Sequence, residues 1–284
     1  MNIFFLIPGV VITGLIIIYP IATNITLSFT DAHLLRGISK FVGFNNYLTI
    51  LKDPNFMHSL KVTLVWTAGS LFLQLIFGLI AALLLNNSNL KANGIFRTLI
   101  FVPYTLPIIV VTILWGWLLN RFYGIVNYLL LAVGIIDRGV SWFSSGGATA
   151  IFSLVVINTW FGYPLMTLAI LAGLQTIPKE FYEVAKIEGA SSWQTFKNVI
   201  LPSIKRILGM MLILRTMWIF NTFDMVYLIT GGGPSRSTEI LTIYGYNIGW
   251  KKYQIGSAAA LSVILLIILF VLISFYIKSL KLKL

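Results

Sequence analysis

The chain has 284 residues, 58% of them hydrophobic and only 10% charged, with a mean hydropathy of +0.93. This composition excludes an ordinary soluble domain and is typical of an integral membrane protein. The formal net charge of +12 does not indicate a nucleic-acid partner, because the basic residues are dispersed among short loops where attraction to anionic membrane lipids accounts for them.

Long apolar runs divide the chain into candidate membrane spans. Crossing the hydrocarbon core takes about 20 apolar residues in a helix, and runs without period-two alternation argue against a β-barrel. The sequence therefore predicts an all-α, polytopic integral membrane protein, a single domain over residues 1–284 with about six transmembrane helices. The predicted spans are 3–29, 59–86, 95–120, 148–173, 206–230 and 254–277.

Two apolar segments need separate interpretation. The first, 3–29, lacks a basic region ahead of it and is too long for the apolar part of a signal peptide, so we expect a retained span. Residues 122–136 are apolar but short, and they contain Gly124, Asn127 and Gly134. We expect this segment to form an interfacial helix on the outer face of the membrane.

A polar segment, residues 178–202, interrupts the apolar runs. Its first part contains good helix formers and ends at Gly189, where a helix C-terminus favours a residue tolerant of positive φ. Ser191 and Gln194 have the spacing of a capping box, which predicts a second helix that reaches residue 201 before Pro202 interrupts it. The segment therefore predicts a hairpin of two short helices, polar enough to meet a soluble partner.

This hairpin resembles the cytoplasmic loop of permease subunits of binding-protein-dependent ABC importers. In that family the loop reads Glu-Ala-Ala, three residues, Gly, nine residues, Ile-x-Leu-Pro. Val184 and Val199 are conservative departures from the pattern. A solvated loop would explain the polarity but not these spacings. The residues in register are Glu183, Ala185, Gly189, Leu201 and Pro202.

Two further stretches are similar to the carbohydrate-type members of this family. Residues 6–31 look like their first helix. Residues 228–241 are similar to the Thr-x-Gly-Gly-Pro-x-x-Ser-Thr signature of the MalF-like member of a permease pair, as distinct from its MalG-like mate. A glycine- and proline-rich turn would have much the same composition whatever the protein transports.

The resemblance implies several partners and no cofactor bound by this chain. A second, MalG-like permease subunit would complete the pore, and an extracytoplasmic solute-binding protein would deliver a carbohydrate substrate. Two ATP-binding cassette ATPase subunits would use ATP and Mg²⁺. The sequence itself has no cysteine, no histidine pair with metal-ligand spacing and no phosphate-binding loop. We therefore predict a pore subunit that is not an enzyme and has no catalytic or metal site.

By the same resemblance, the loop over residues 174–205 couples the chain to the ATPase. Apolar side chains of its first helix would seat in a groove of the ATPase, and Glu183 would meet a basic group there. Gly189 would allow close approach, and Pro202 would fix the turn back to the membrane. The residues expected to make this coupling contact are Phe181, Glu183, Val184, Ala185, Gly189, Leu201 and Pro202.

Charge alone does not orient the chain, because the two sets of loops carry nearly equal numbers of basic residues. The resemblance of the hairpin to a cytoplasmic loop implies a multi-pass protein of the cytoplasmic membrane with both termini in the cytoplasm. Lys91 and Lys186 would then be cytoplasmic, and Lys52, Asp137 and Arg236 would lie outside.

Polar and aromatic residues within two spans predict a substrate path. A charged group at membrane depth costs at least about 2.5–3.5 kcal/mol, so such groups should face protein or water. If 206–230 is one helix, Arg215, Asn221 and Asp224 lie on its polar and aromatic flank. Aromatic faces with hydrogen-bonding groups suit sugars, although Trp near a helix end is often an interface anchor. The predicted path residues are Asn158, Trp160, Tyr163, Arg215, Trp218, Asn221, Asp224 and Tyr227.

The sequence thus predicts the transmembrane permease subunit of an ATP-driven ABC importer for a carbohydrate, with an oligosaccharide as the expected substrate. An importer subunit for polyols or glycerol phosphate would share every feature except the ligand. An ion-coupled secondary carrier is the alternative from another class, with Arg215 and Asp224 as its working charges. Such a carrier should contain inverted repeats with matched broken helices, and the sequence shows no obvious repeat.

Overall fold

A computed structural model of the protein describes residues 7–36, 39–87 and 93–279. Lys91 and the start of the first predicted span, residues 3–6, lie outside this part of the chain. The described residues form helices joined by turns, with one isolated bridge between Thr30 and Phe41 and no strand. The predicted all-α fold class is confirmed.

Long apolar helices alternate with short ones, and π-helical segments at Gly14–Ile18, Phe196–Ile200 and Asn247–Lys251 join or extend some of them. In chain order, the helices of the described part are α1 (Ile7–Thr13), α2 (Tyr19–Ser28), α3 (Asn45–Lys52), α4 (Pro54–Leu85), α5 (Asn93–Thr105), α6 (Ile108–Leu118), α7 (Ile125–Ala132), α8 (Gly147–Gln175), α9 (Lys179–Ile187), α10 (Ser192–Thr195), α11 (Leu201–Phe220), α12 (Asp224–Thr230), α13 (Leu241–Tyr246) and α14 (Ile255–Ser279).

Four helical stretches of the described chain are long and apolar enough to cross a membrane, and a fifth is counted if the bent pair α5 and α6 forms one span. These four correspond to the first, second, fourth and sixth predicted spans. Their bounds are Val11–Ser28, Pro54–Leu85, Gly147–Gln175 and Ile255–Lys278.

The third predicted span, 95–120, is not straight. The axes of α5 and α6 differ by 96° across a short break. Pro107 lacks the N–H that a continuing helix would use, and its ring drives the preceding residue away from helical geometry. Its own backbone is extended, with ψ of 139°, and starts α6 in a new direction.

The fifth predicted span, 206–230, is also interrupted, between α11 and α12. Nδ2 of Asn221 and Oγ1 of Thr222 each donate to the carbonyl four residues back, over 2.9 and 3.0 Å. Such local hydrogen bonds compete with continuation of a helix. The expectation that Arg215, Asn221 and Asp224 lie on one continuous helix is therefore wrong.

The short helix α7 lies inside the segment predicted as interfacial, 122–136. Asn127 on α7 is buried and exchanges hydrogen bonds with the backbone of Val140, over 3.0 and 3.2 Å. Its Oδ1 also accepts from Nε1 of Trp142, at 3.1 Å. One amide thus ties α7 to the loop that follows it, while its position in the membrane interface stays a prediction.

Two compact units make up the chain, residues 1–61 with 241–272 and residues 62–240 with 273–284. Within the first unit, Asn46 organises the end of α2. Its Nδ2 donates to the carbonyl of Ser28 at 2.9 Å, and its Oδ1 accepts from Oγ of Ser257 at 3.2 Å.

The second unit has its core where α4, α8 and α11 pack together. Trp66 is fully buried there, and its Nε1 donates to the carbonyl of Ile219 at 3.1 Å. Close packing rather than the hydrophobic effect holds helices together within lipid. The buried apolar cluster comprises Ala82, Leu85, Met166, Ile170, Leu171, Leu174, Ile177 and Ile204. This packing positions the helices that surround the cavity described below.

Candidate substrate cavity and coupling hairpin

A cavity of about 400 Å³ lies among α5, α6, α8, α11 and α12, entirely within the second unit. Its volume falls in the range of roughly 300–1,000 Å³ that small-molecule sites occupy. Apolar, aromatic and a few polar side chains share its wall. The lining residues are Tyr104, Ile108, Asn158, Phe161, Arg215, Trp218, Ile219, Thr222 and Met225.

Arg215 is the charged residue of this wall, and Gln74 holds it in place. Arg215 is only 4% exposed, and its Nε donates to Oε1 of Gln74 at 2.8 Å. Gln74, fully buried on α4, uses its Nε2 to donate to the carbonyl of Asn158 at 2.9 Å. A single amide therefore connects α4, α8 and α11 beside the cavity.

Gly162 and Trp218 shape the space around the Arg215 guanidinium. A Cβ atom at position 162 would overlap Nη2 of Arg215 and lie 2.5 Å from Nε2 of Gln74, so any larger residue there would displace these side-chain ends. The guanidinium carbon also lies 5.7 Å from the centroid of the Trp218 ring, within cation–π range.

Hydrogen-bond donors of the cavity wall are left without acceptors. All eight acidic residues of the chain belong to its described part, and none of them forms an ion pair with Arg215. Nδ2 of Asn158 is buried and has no hydrogen-bond partner among the described residues. The wall therefore combines a positive charge with unused donors, an arrangement suited to the oxygen atoms of a ligand.

Three of the eight predicted path residues line the cavity: Asn158, Arg215 and Trp218. The other five are not among its lining residues, and their place in a substrate path stays a prediction. They are Trp160, Tyr163, Asn221, Asp224 and Tyr227.

Each of these five has other surroundings. Trp160 packs edge-on against Trp115 with ring centroids 5.6 Å apart, and Tyr227 stacks on a neighbouring ring at 4.7 Å. Tyr163 is half-buried on α8, whereas Asn221 and Asp224 are exposed at the break between α11 and α12. For Asn221, Asp224 and Tyr227 the break explains the difference, because it turns α12 away from the helical register of α11.

Six of the nine lining residues, and Gln74 beside the cavity, were not predicted from sequence. A lone amide inside a long apolar span is a signal that could have identified Gln74, since polar groups at membrane depth are usually functional. Tyr104 and Phe161 contribute rings 5.6 Å apart to the wall. No sequence signal separates these two rings from ordinary apolar packing.

The backbone of the hairpin forms as predicted at both helix ends. Gly189 has a φ of +72° and its N–H donates to the carbonyl of Lys186 at 3.1 Å, while the next N–H reaches the carbonyl of Ala185 at 2.9 Å. This pair of hydrogen bonds is a Schellman motif. Ser191 and Gln194 form the capping box, with hydrogen bonds of 3.3 and 2.7 Å.

The side chains of α9 divide between an outer and an inner face. Phe181 and Val184 are 58% and 53% exposed, and Glu183 is exposed without an ion pair in the described chain. Ala185 differs from the expectation, because it is buried within the chain and offers no surface to an ATPase groove. It shares the inner face with Tyr182, which packs against the apolar core.

Further apolar side chains project from the outer face of the hairpin. Ile187 is 85% exposed, and Trp193 is 69% exposed although it stacks on Phe196 with centroids 5.6 Å apart. On the inner face, burial raises the pKa of the Tyr182 phenol. The hairpin therefore attaches to the core on one side and presents unpaired apolar surface on the other.

The helix does not stop at Pro202 as predicted. The π-helical segment before it leads directly into α11, with the N–H of Leu201 donating to the carbonyl of Phe196. A π turn is wider than an α turn, so it relieves the clash that the proline ring would otherwise make with the carbonyl four residues earlier. Leu201 and Pro202 are exposed within one continuous helical path from hairpin to span.

Comparison with known proteins places this geometry in a family. Residues 74–280 match the binding-protein-dependent transport system inner membrane component family. The chain is 34% identical to the trehalose/maltose transport system permease protein MalF of Thermococcus litoralis, covering 94% of this chain and 90% of that protein. It is 30% identical to the diacetylchitobiose uptake system permease protein DasB of Streptomyces coelicolor, covering 96% and 84%.

The fold also matches a solved transporter. A chain from a bacterial ABC transporter involved in the import of the acidic polysaccharide alginate superposes with a TM-score of 0.82 at 20% identity, covering 98% of this chain and 93% of that one. These findings confirm the resemblance carried by the hairpin. The chain belongs to the family of inner membrane components of binding-protein-dependent transport systems.

Proposed function

We propose that the chain is the permease subunit of an ATP-driven importer for a carbohydrate, with an oligosaccharide as its substrate. The observation that carries this proposal is the cavity wall, where a buried guanidinium and a buried amide lie beside aromatic rings. Aromatic faces pack against the apolar faces of sugar rings, and the polar groups bind their hydroxyls. The names of the relatives from Thermococcus litoralis and Streptomyces coelicolor support a sugar.

The chain works with partners in this proposal. A second, MalG-like permease completes the pore, an extracytoplasmic binding protein delivers the sugar, and two ATPase subunits hydrolyse ATP with Mg²⁺. The absence of a phosphate-binding loop from the sequence supports an ATPase on separate chains.

The hairpin is the proposed contact with the ATPase. Exposed apolar side chains of α9, Phe181 and Val184, together with Ile187 and Trp193, would enter its groove. Glu183 would meet a basic group there. Since the helical path from α10 through the π-helical segment into α11 is continuous, movement of the hairpin would reach Arg215 in the cavity wall. Both termini of the chain would be cytoplasmic.

Reconstitution tests the proposal. The complex of both permeases and the ATPase pair is placed in liposomes with its binding protein, and uptake is measured for a panel of oligosaccharides, polyols and glycerol phosphate. We expect ATP-dependent uptake of an oligosaccharide together with stimulated ATP hydrolysis. Uptake driven by an ion gradient without ATP would contradict the importer, and uptake confined to polyols or glycerol phosphate would contradict the substrate class.

A further inference from the structure

Some polar groups around Arg215 have hydrogen-bond partners within the described residues and others have none. Within the described residues, the guanidinium makes one hydrogen bond, from Nε to Gln74, and its Nη nitrogens make none. Asn158 has its carbonyl engaged by Gln74 while its own Nδ2 has no partner. The donors left over thus belong to Arg215 and Asn158, both of which line the cavity.

We propose that Gln74 is a positioning residue for substrate recognition. It holds Arg215 so that the paired N–H groups of the guanidinium donate hydrogen bonds to two adjacent oxygen atoms of the sugar. This inference rests on the proposed function and adds to it the residue that sets specificity and the chemical group that is recognised. A guanidinium is planar and offers paired N–H groups that match two neighbouring acceptors. Vicinal hydroxyls and an acidic group of a sugar both present such a pair.

Gln74 can act in this way because its amide has both ends occupied. Oε1 accepts from Arg215 and Nε2 donates to the carbonyl of Asn158, so the amide cannot rotate without losing a hydrogen bond. Since Nε points at Gln74, the fork formed by the Nη nitrogens is left for another partner. Gly162 and Trp218 limit its remaining freedom by close packing and by a cation–π contact.

Substitutions at Gln74 test the proposal in the reconstituted complex. Gln74→Met keeps length and volume but removes both hydrogen bonds, and Gln74→Glu keeps only the acceptor for Nε of Arg215. We expect Gln74→Met to raise the half-saturating concentration of substrate about tenfold with little change in maximal rate, and Gln74→Glu to raise it less. Half-saturation within about twofold of wild type in Gln74→Met would overturn the proposal.

A double-mutant cycle separates positioning from a structural role. Arg215→Lys keeps the charge but loses the fork, so it should raise half-saturation to a similar extent. If Gln74 acts through Arg215, then Gln74→Met combined with Arg215→Lys should be no worse than the worse single variant. Additive losses would overturn the proposal, since Gln74 would then act independently of the guanidinium.

A pair of glycine variants tests the position of the guanidinium without mutating Gln74 or Arg215. Gly162→Ala should displace the guanidinium and raise half-saturation. Gly173→Ala is the matched control on the same helix, because its Cβ would lie 2.7 Å from Cδ1 of Ile207, crowding α11 at an apolar contact instead. Equal half-saturation in the two variants, or failure of both Gln74→Met and Gly162→Ala to assemble, would overturn the proposal in favour of packing alone.

Substrate analogues identify the paired oxygens. For a neutral sugar that wild type transports, a deoxy analogue lacking one vicinal hydroxyl should lose about tenfold, and for an acidic sugar the reduced, uncharged analogue should lose as much. Arg215→Lys should no longer distinguish the members of either pair. An unchanged half-saturation in Arg215→Lys would overturn the proposal, and so would failure of that variant to assemble with the second permease, because Arg215 would then serve the contact between the subunits. No transport of any sugar by wild type would instead remove the proposed function itself.

Discussion

The cavity wall and the hairpin are linked by one helical path, because α10 continues through a π-helical segment into α11. The wall and the outer face of the hairpin nevertheless differ in how much of their geometry the chain itself determines. In the cavity, Arg215 is buried and fixed by Gln74, Gly162 and Trp218. On the hairpin, the Schellman motif and the capping box fix the backbone, while side chains such as Ile187 contact little of the described chain.

This difference separates two kinds of functional surface. A buried charge that is to meet a ligand must be held by the chain itself, because a low-dielectric interior offers it few favourable positions. An exposed docking surface needs only a rigid backbone, since its side chains can be ordered by the partner at the moment of binding. We therefore expect cavity variants to change substrate recognition and hairpin variants to change ATP coupling.

Chemical labelling should give an all-or-none separation of the two sides. The chain contains no cysteine, so single cysteines can be placed at Lys186 on the hairpin and at Ser235, beside the paired Arg236. With a membrane-impermeant thiol reagent on intact cells, we expect Ser235→Cys to react and Lys186→Cys to react only after permeabilisation. Labelling of Lys186→Cys alone in intact cells would reverse the proposed orientation.

The next largest effect is expected at Gly189. A left-handed conformation costs a residue with a side chain about 1–2 kcal/mol, and a β-branched residue is worse still. Among the described residues, apart from its two chain neighbours, none comes within 4 Å of a Cβ built there, so space within this part of the chain does not oppose a side chain. Gly189→Val should therefore lower ATPase co-purification and stimulated hydrolysis severalfold, and Gly189→Ala should do so less.

The measurement is ATP hydrolysis stimulated by the loaded binding protein, with half-saturation for substrate recorded in the same preparation. Gly189→Val should lower the stimulated ATP hydrolysis and leave half-saturation for substrate unchanged. A variant that docks and stimulates like wild type would show that the hairpin end does not meet the ATPase.

In contrast to Gly189→Val, a variant of the cavity wall should change half-saturation for substrate and leave ATPase docking unchanged. Asn158→Ala removes a side-chain donor but leaves the carbonyl that binds Gln74. A lost hydrogen bond to substrate of about 0.5–1.5 kcal/mol corresponds to a roughly two- to tenfold rise in half-saturation. Asn221→Ala, at the exposed break after α11, should have a smaller effect. A larger rise in half-saturation for Asn221→Ala than for Asn158→Ala would place the substrate path at the break instead of in the cavity.

Much of the fold follows from local sequence signals. Apolar runs of sufficient length indicated the long helices, and Gly189 with the Ser191 and Gln194 pair indicated both ends of the hairpin. These features depend on residues close together in the chain, where turn chemistry and helix capping have fixed spacings. The same logic should have identified the break at Pro107, because the residue before proline avoids helical geometry.

The site was less accessible from sequence because it depends on contacts between distant segments. Gln74 and Arg215 are 141 residues apart, and only packing of α4, α8 and α11 brings them together. The break between α11 and α12 is set by side chains that bond back to the helix, so the continuous-helix assumption misplaced Asp224. Burial of Ala185 likewise depends on the core that its helix face meets.

The smallest effect is expected at Glu183. Its exposed carboxylate has two possible roles, a charge interaction within α9 and a contact with the ATPase. Lys179 and Lys186 are four residues before and three after it on α9, and an intrahelical pair of this kind is worth only about 0.2–0.5 kcal/mol. Glu183 makes no ion pair within the described chain, so Glu183→Gln should leave folding and half-saturation unchanged.

If the carboxylate meets a basic group of the ATPase, the variant should lower co-purification and stimulated hydrolysis about two- to fivefold, corresponding to roughly 0.5–1 kcal/mol for a partly exposed pair. High salt should weaken docking of wild type more than of Glu183→Gln, since only wild type has the charge pair to screen. Equal docking of the two proteins at every salt concentration would assign the hairpin contact to its apolar side chains alone.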